Sequence, residues 1–130
     1  MRIHHIGYLV KNIAKARGPF EELGYEAEGE VVYDPLRDID ILFMVNGDYR
    51  IELVQPKSPE SVVANTLKKI GNSPYHICYY CDDISKAQIE LHEKGYYPLG
   101  DIEPAVAIGG RKVCFMLNPA IGMIELVEET

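Results

Sequence analysis

Two histidines and two glutamates occupy matching places in the two halves of this chain: His5 and His76, Glu52 and Glu125. The glutamates sit inside YRIELVQP and GMIELVEE, and both occurrences of IELV read as half-buried strands, where glutamate is a depleted residue. Imidazole suits Zn, Ni, Co or Mn-type ions and carboxylate is the harder partner, so two of each in one closed cavity would make a site for one divalent transition ion. Taken singly, each histidine reads as a hydrogen-bonded structural residue and each glutamate as a solvated one. Repetition changes that balance. Packing gives the two halves no reason to keep the same strand-central glutamate, since Leu or Val would fill the space without a desolvation cost.

The repeat runs through the whole sequence. HHIGYLVKNIAKA (4–16) lies over YHICYYCDDISKA (75–87) at an offset of 71, pairing His5 with His76, Ile6 with Ile77, Tyr8 with Tyr79 and Ile13 with Ile84. The same offset sets ELGYEAEGE over EKGYYPLGD. It becomes 72 where FMVN meets FMLN and 73 at the two IELV segments, single-residue slips that belong in loops. Self-similarity at a near-fixed spacing implies a tandem duplication of a unit of about 55 residues.

Local signals divide each unit into the elements that must position these side chains. In the first, a strand near Ile3 to Val10 leads to Asn12 as helix cap and a helix stopped at Gly24, with three strands after it near Glu26 to Tyr33, Ile39 to Val45 and Tyr49 to Val54. The last two are joined by NGD (46–48), a strong hairpin signal. Gly18 and Pro19 inside the helix predict a short or broken one. The second unit repeats the plan, with a strand at Tyr75 to Cys81, a helix capped by Asp83 and stopped at Gly95, and strands near Tyr96, Lys112 to Leu117 and Met123 to Val127. Between the copies, Ser58 as cap, Pro59 at the first helical position and Gly71 as stop predict a linker helix. The expected class is α+β: two tandem βαβββ modules, about 1–56 and 74–130, joined by a helix at about 58–71. Their curved sheets pair around a shared cavity in one domain.

Composition bounds the rest. A net charge of −7 argues against nucleic acid, whose binding rests on clustered Lys and Arg, and no run is long enough for a membrane helix. The expected partner is a small molecule. MRIHHIGYLV lacks a cleavable signal pattern, and three cysteines without framework spacing fit a reducing compartment, so a cytoplasmic protein is expected. Cys78 and Cys81 form a C-x-x-C, but on a strand their odd separation points them to opposite faces. They read as core thiols. His4 falls on the face opposite His5 by the same alternation, and His92 lies near a helix end; both read as structural or solvated.

Paired βαβββ units with His on the first strand, Glu on the fourth, His on the fifth and Glu on the eighth resemble the vicinal oxygen chelate superfamily, also called the glyoxalase/bleomycin resistance/dioxygenase superfamily. Within it, HHIGYLVKNI, YHICYYCDDI and NPAIGMIELVE are most similar to the methylmalonyl-CoA epimerase-like proteins. Carried over by position, the resemblance implies that His5, Glu52, His76 and Glu125 bind one divalent ion (Co, Ni, Zn or Mn). It further implies proton abstraction beside the carbonyl of a 2-substituted acyl thioester such as methylmalonyl-CoA, through a metal-stabilised enolate. Glu125 is then one catalytic carboxylate. The family's second aligns with Asp40 in DIDILF, which shares a strand face with Leu42 and Met44. A homodimer is the expected assembly.

Two alternatives belong to the same superfamily. Glyoxalase I (lactoylglutathione lyase) shares the His-Glu-His-Glu ligands, but its bacterial members carry a basic residue four positions after the first histidine, where Leu9 stands here. An aromatic-Tyr pair before LG in the first helix is replaced by GPFEELG. A non-catalytic small-molecule binding module would not need all four ligands. An acidic chain taking an acidic thioester would need Arg37, Lys57, Arg111 or Lys112 near the mouth of its site.

Overall fold

The computed structural model describes residues Met1–Thr130 and is mixed α+β, with three α-helices and ten strands. Its residues fall into two units: the first is Ile6–Tyr75, the second Met1–His5 together with His76–Thr130. Strand β1 (Ile3–Leu9) therefore begins in the second unit and ends in the first.

In the first unit, α1 (Ile13–Glu22) starts where the Asn12 side chain accepts from the Lys15 N–H at 2.9 Å, satisfying one of the donors left over at a helix start. The break expected at Gly18-Pro19 does not occur, and Pro19 lies inside a continuous helix. Proline removes one backbone donor. The last turn is nonetheless held by Phe20, whose ring packs edge-on against Tyr8 and Tyr25 at 5.1 and 5.4 Å, and by the Leu23 and Gly24 N–H groups returning to the Phe20 and Glu21 carbonyls.

Four strands follow in this unit: β2 (Glu26–Ala27), β3 (Val32–Asp34), β4 (Ile39–Asn46) and β5 (Tyr49–Pro56). The stretch 26–33, expected as one strand, is two, because the chain leaves the ladder around Gly29, whose φ of 136° suits glycine alone. At Gly47 and Asp48 the predicted hairpin turn closes, with Asn46 paired to Tyr49. The strand order is β2-β4-β5-β1, with β3 also on β4. Here β5 runs parallel to β1 and sets Glu52 opposite Gly7.

Helix α2 (Ala64–Ile70) begins later than its cap signals predict. Ser58 and Pro59 instead enter a separate turn, in which the Ser61 N–H returns to the Ser58 carbonyl at 3.1 Å and the Ser61 hydroxyl donates to the Arg37 carbonyl at 3.2 Å. Gly71 ends the helix as expected, its N–H on the Leu67 carbonyl.

The later elements repeat the plan: β6 (Ser73–Cys81), α3 (Ile84–Glu93), β7 (Tyr97–Pro98), β8 (Glu103–Ala105), a 3-10 turn at Val106–Ile108, β9 (Arg111–Asn118) and β10 (Gly122–Glu128). Asp83 caps α3 by accepting from the Lys86 N–H at 3.0 Å. The order is β6-β10-β9-β7, with β8 on β9, and β10 runs parallel to β6 with Glu125 opposite Cys78. The two cores match position for position: Ile13, Met44, Ile51 and Leu53 in the first unit have Ile84, Met116, Ile124 and Leu126 as counterparts in the second. Each helix thus seals one face of its sheet with apolar side chains. No helix is long and apolar enough to cross a membrane.

Candidate metal centre

Alternate side chains of a strand share a face, so His76, Cys78 and Tyr80 of β6 point the same way. Register sets Glu125 of β10 beside Cys78 on that face. It is the face away from α3. Cys78 packs with Val113 and Val127, whereas Cys81 packs with Ile84 and Ala87 of the helix, so the two thiols of the C-x-x-C do lie on opposite faces.

His5, at the start of β1, completes a cluster within the second unit. Its Nε2 lies 3.1 Å from His76 Nε2 and 3.2 Å from Glu125 Oε1, and His76 Nε2 lies 3.0 Å from the same oxygen. The three atoms form a nearly equilateral triangle. An ion about 2.1 Å from each of its ligands separates them by about 3.0 Å at right angles and about 3.4 Å in a tetrahedron, and the observed edges fall in that range. All three residues are buried, at 1, 4 and 5% exposure for His5, His76 and Glu125. Glu125 Oε1 has no well-directed hydrogen bond from either ring, and a buried oxygen left in that state is costly. Spacing, donor set and orphaned oxygen all fit a divalent cation. Phe115 backs the cluster, as the register partner of Glu125 and edge-on to His76 at 5.3 Å.

Burial by itself would push the Glu125 carboxyl up. The imidazoles of His5 and His76, at hydrogen-bonding distance, outweigh that and hold it below the usual carboxylate range. Glu125 is therefore ionised, the form that can bind a cation or accept a proton. The other buried thiols show the uncompensated effect: burial first, and acidic neighbours second, push Cys81 up to about 11, while burial pushes Cys114 up to about 12.

Glu52 belongs to the first unit. It is half-buried on β5, opposite Gly7, which follows His5 by two residues and so shares its face of β1. Across β4 its partner is Phe43, the repeat counterpart of Phe115. Asp40 is placed differently. Because Phe43 registers with Glu52, the odd-numbered residues of β4 share Glu52's face, and Asp40 goes with Leu42 and Met44 to the face packed on α1. Its carboxylate meets the Lys57 ammonium at 3.1 Å. The structure thus gathers His5, His76 and Glu125 within the second unit, sets Glu52 opposite Gly7 in the first, and turns Asp40 away from Glu52.

Sequence reasoning missed His4. Alternation sends it away from His5, yet both rings are buried and their Nδ1 atoms lie 2.6 Å apart. The doublet HH at the start of the first strand was the available signal. Of the cations considered for an acidic substrate, Arg37 is paired with Asp34 at 2.6 Å and Lys57 with Asp40.

Comparison with known proteins agrees with this architecture. An ethylmalonyl-CoA/methylmalonyl-CoA epimerase of Cereibacter sphaeroides is 30% identical over 117 residues, covering 88% of this chain and 87% of that protein. The mitochondrial methylmalonyl-CoA epimerase of Bos taurus is 28% identical over 116 residues, covering 88% of this chain but 66% of the bovine protein, just under two thirds of its length. The crystal structure of methylmalonyl-CoA epimerase from Mycobacterium tuberculosis shares the fold, with a TM-score of 0.85 at 19% identity over 98% of this chain and 87% of that one. A family model matches residues 4–115, the span that holds both unit-opening histidines, and on that match the chain belongs to the Glyoxalase/Bleomycin resistance protein/Dioxygenase superfamily.

Proposed function

We propose that this protein is a divalent-metal-dependent isomerase that epimerises a 2-substituted acyl thioester of the methylmalonyl-CoA type. The observation that carries the reading is the buried triangle of His5 Nε2, His76 Nε2 and Glu125 Oε1. Glu52 is the fourth ligand in this reading, supported by its repeat relation to Glu125 and by its place opposite Gly7 on the face of His5. The thioester is supported by the epimerases among the relatives, one of them named for both ethylmalonyl- and methylmalonyl-CoA.

A divalent ion held by these residues supplies Lewis-acid polarisation of the substrate carbonyl. The protein's own groups do the rest. His5 and His76, each buried on the strand that opens its repeat, set where the carbonyl end of the substrate docks. Glu125, kept ionised, accepts the proton from the carbon next to that carbonyl, and inversion is completed when a second acid delivers a proton to the opposite face of the planar carbon. The buried setting strengthens these electrostatic contacts, because little water competes for them. The assembly in this reading is a homodimer.

The test is solvent exchange. The protein refilled with Co, Ni, Zn or Mn is expected to bind about one ion per chain and to catalyse deuterium uptake at the 2-position of methylmalonyl-CoA, with little turnover of methylglyoxal and glutathione. Leu9 offers glutathione carboxylates no charge-assisted hydrogen bond. Glyoxalase turnover without thioester exchange would replace the epimerase by a lactoylglutathione lyase. Failure to retain any of the four metals would leave a binding module.

A further inference from the structure

We propose that His4 is a positioning residue for the metal ligand His5: its Nδ1 pairs with His5 Nδ1 and so fixes the ring tautomer that turns the His5 Nε2 lone pair toward His76 and Glu125. The proposal rests on the ligand reading above. Two ring nitrogens 2.6 Å apart cannot both present lone pairs, so one of the two Nδ1 atoms carries a hydrogen. If it were His4, the hydrogen of neutral His5 would sit on Nε2, between His5 and Glu125 Oε1, where it blocks a cation. If it is His5, its Nε2 presents a lone pair to a cation and His4 Nδ1 is the acceptor. A ligating histidine almost always gives its second N–H to such an acceptor, usually a carboxylate, a carbonyl or water. Here the acceptor is the neighbouring histidine.

The surroundings suit that task. His4 is 7% exposed and its ring stands edge-on to Tyr80 at 5.0 Å, which holds the acceptor nitrogen in place. Neighbouring residues on a regular strand point to opposite faces, so contact between these two rings departs from simple alternation. An apolar residue would fill the space against Tyr80 equally well. It would leave His5 Nδ1 without this acceptor.

The experiment compares wild type with His4→Phe, which keeps an aromatic ring against Tyr80, and His4→Asn, whose side-chain oxygen can stand where Nδ1 stands. Cobalt affinity is measured by chelator competition, with the visible spectrum of the bound ion and thermal melting followed alongside. His4→Phe is expected to bind cobalt about 10–100-fold more weakly with an altered spectrum, and His4→Asn to recover much of the affinity. Wild-type affinity and spectrum in His4→Phe would reduce His4 to packing. Should His4→Phe not fold, nitrogen-15 ring spectra of the zinc-loaded wild type decide: hydrogens on His5 Nδ1 and His4 Nε2 support the proposal, and zinc on His5 Nδ1 overturns it. A thiolate-to-cobalt charge-transfer band that disappears in Cys78→Ser would also overturn it, because His4, His5 and Cys78 offer ligand atoms within 4.8 Å of one another and would then be a binding site themselves. A wild type that binds neither metal would remove the ligand reading and this proposal with it, an outcome distinct from loss confined to the His4 comparison.

Discussion

Glu125 is the register partner of Cys78, two residues along β6 from His76, and its Oε1 lies 3.0 Å from His76 Nε2. In the first unit, parallel pairing likewise makes Glu52 the register partner of Gly7 on β1. Parallel pairing of β10 with β6 is what delivers Glu125 to the face of His76. The flanking antiparallel strand adds a phenylalanine beside each carboxylate, Phe43 for Glu52 and Phe115 for Glu125.

The two glutamates should separate by substitution. Replacing either with Ala is expected to weaken metal binding, but Glu125→Gln, which keeps shape and removes the proton acceptor, should lower thioester proton exchange by about 10²–10⁴-fold. Exchange rates measured at saturating metal check this. Full turnover by a metal-loaded Glu125→Gln protein would refute the proton-transfer role.

Glu125 also ties stability to acid. Its carboxyl titrates lower in the folded protein than the ordinary value of about 4.3 expected when unfolded, so its contribution is present above that value and is lost as pH falls toward the folded one. Denaturant unfolding below about pH 4.3 is therefore expected to weaken the metal-free wild type more steeply than Glu125→Gln. Parallel pH profiles for the two proteins would contradict the depressed carboxyl.

None of the three buried cysteines is in a disulfide, and the shifts at Cys81 (to about 11) and Cys114 (to about 12) keep those thiols protonated near neutrality. A disulfide reagent at pH 8 should label none of the three in the folded protein and all three in denaturant. Because folding raises these two values above an unfolded thiol's value of about 8.5, the stability they contribute is complete below that pH and declines as pH rises toward the folded values. Rapid stoichiometric labelling of the native protein would show that the core admits reagent at these strands.

Helix α1 carries a cost that α3 does not. Pro19 is exposed and lacks the N–H that would bond the Lys15 carbonyl, so Pro19→Ala is expected to stabilise the protein by about 1 kcal/mol or more, less any entropy that proline removes from the unfolded chain. In contrast, Asn12→Ala and Asp83→Ala should each cost about 1 kcal/mol, since the two caps accept equivalent bonds, at 2.9 and 3.0 Å. Urea melts of the three variants measure both effects. A destabilised Pro19→Ala protein would mean that the ring itself packs against something essential.

What the chain states in one dimension is local or duplicated. The caps Asn12 and Asp83, the turn at Gly47 and the stop at Gly71 are read from a few neighbouring residues, because each satisfies a nearby backbone group. His5, His76, Glu52 and Glu125 stand out for a different reason: two copies of one unit print the same polar residue twice, which a single copy would leave ambiguous. What the tertiary structure alone decided is long-range register. Strand parity groups Asp40 with Leu42 and Met44, but only the pairing of Phe43 with Glu52 shows that this group lies on the helix side. The Ser58-Pro59 signal was spent on a turn tied to Arg37, twenty-odd residues away in sequence, so α2 starts later. His4 escaped notice because alternation is a rule for isolated regular strands, whereas its burial against His5 and Tyr80 depends on how β1 meets β6. Local hydrogen bonding and repetition are therefore legible in sequence, while the face a side chain finally presents is set by hydrogen-bonded partners far along the chain, whose pairing is a property of the fold as a whole.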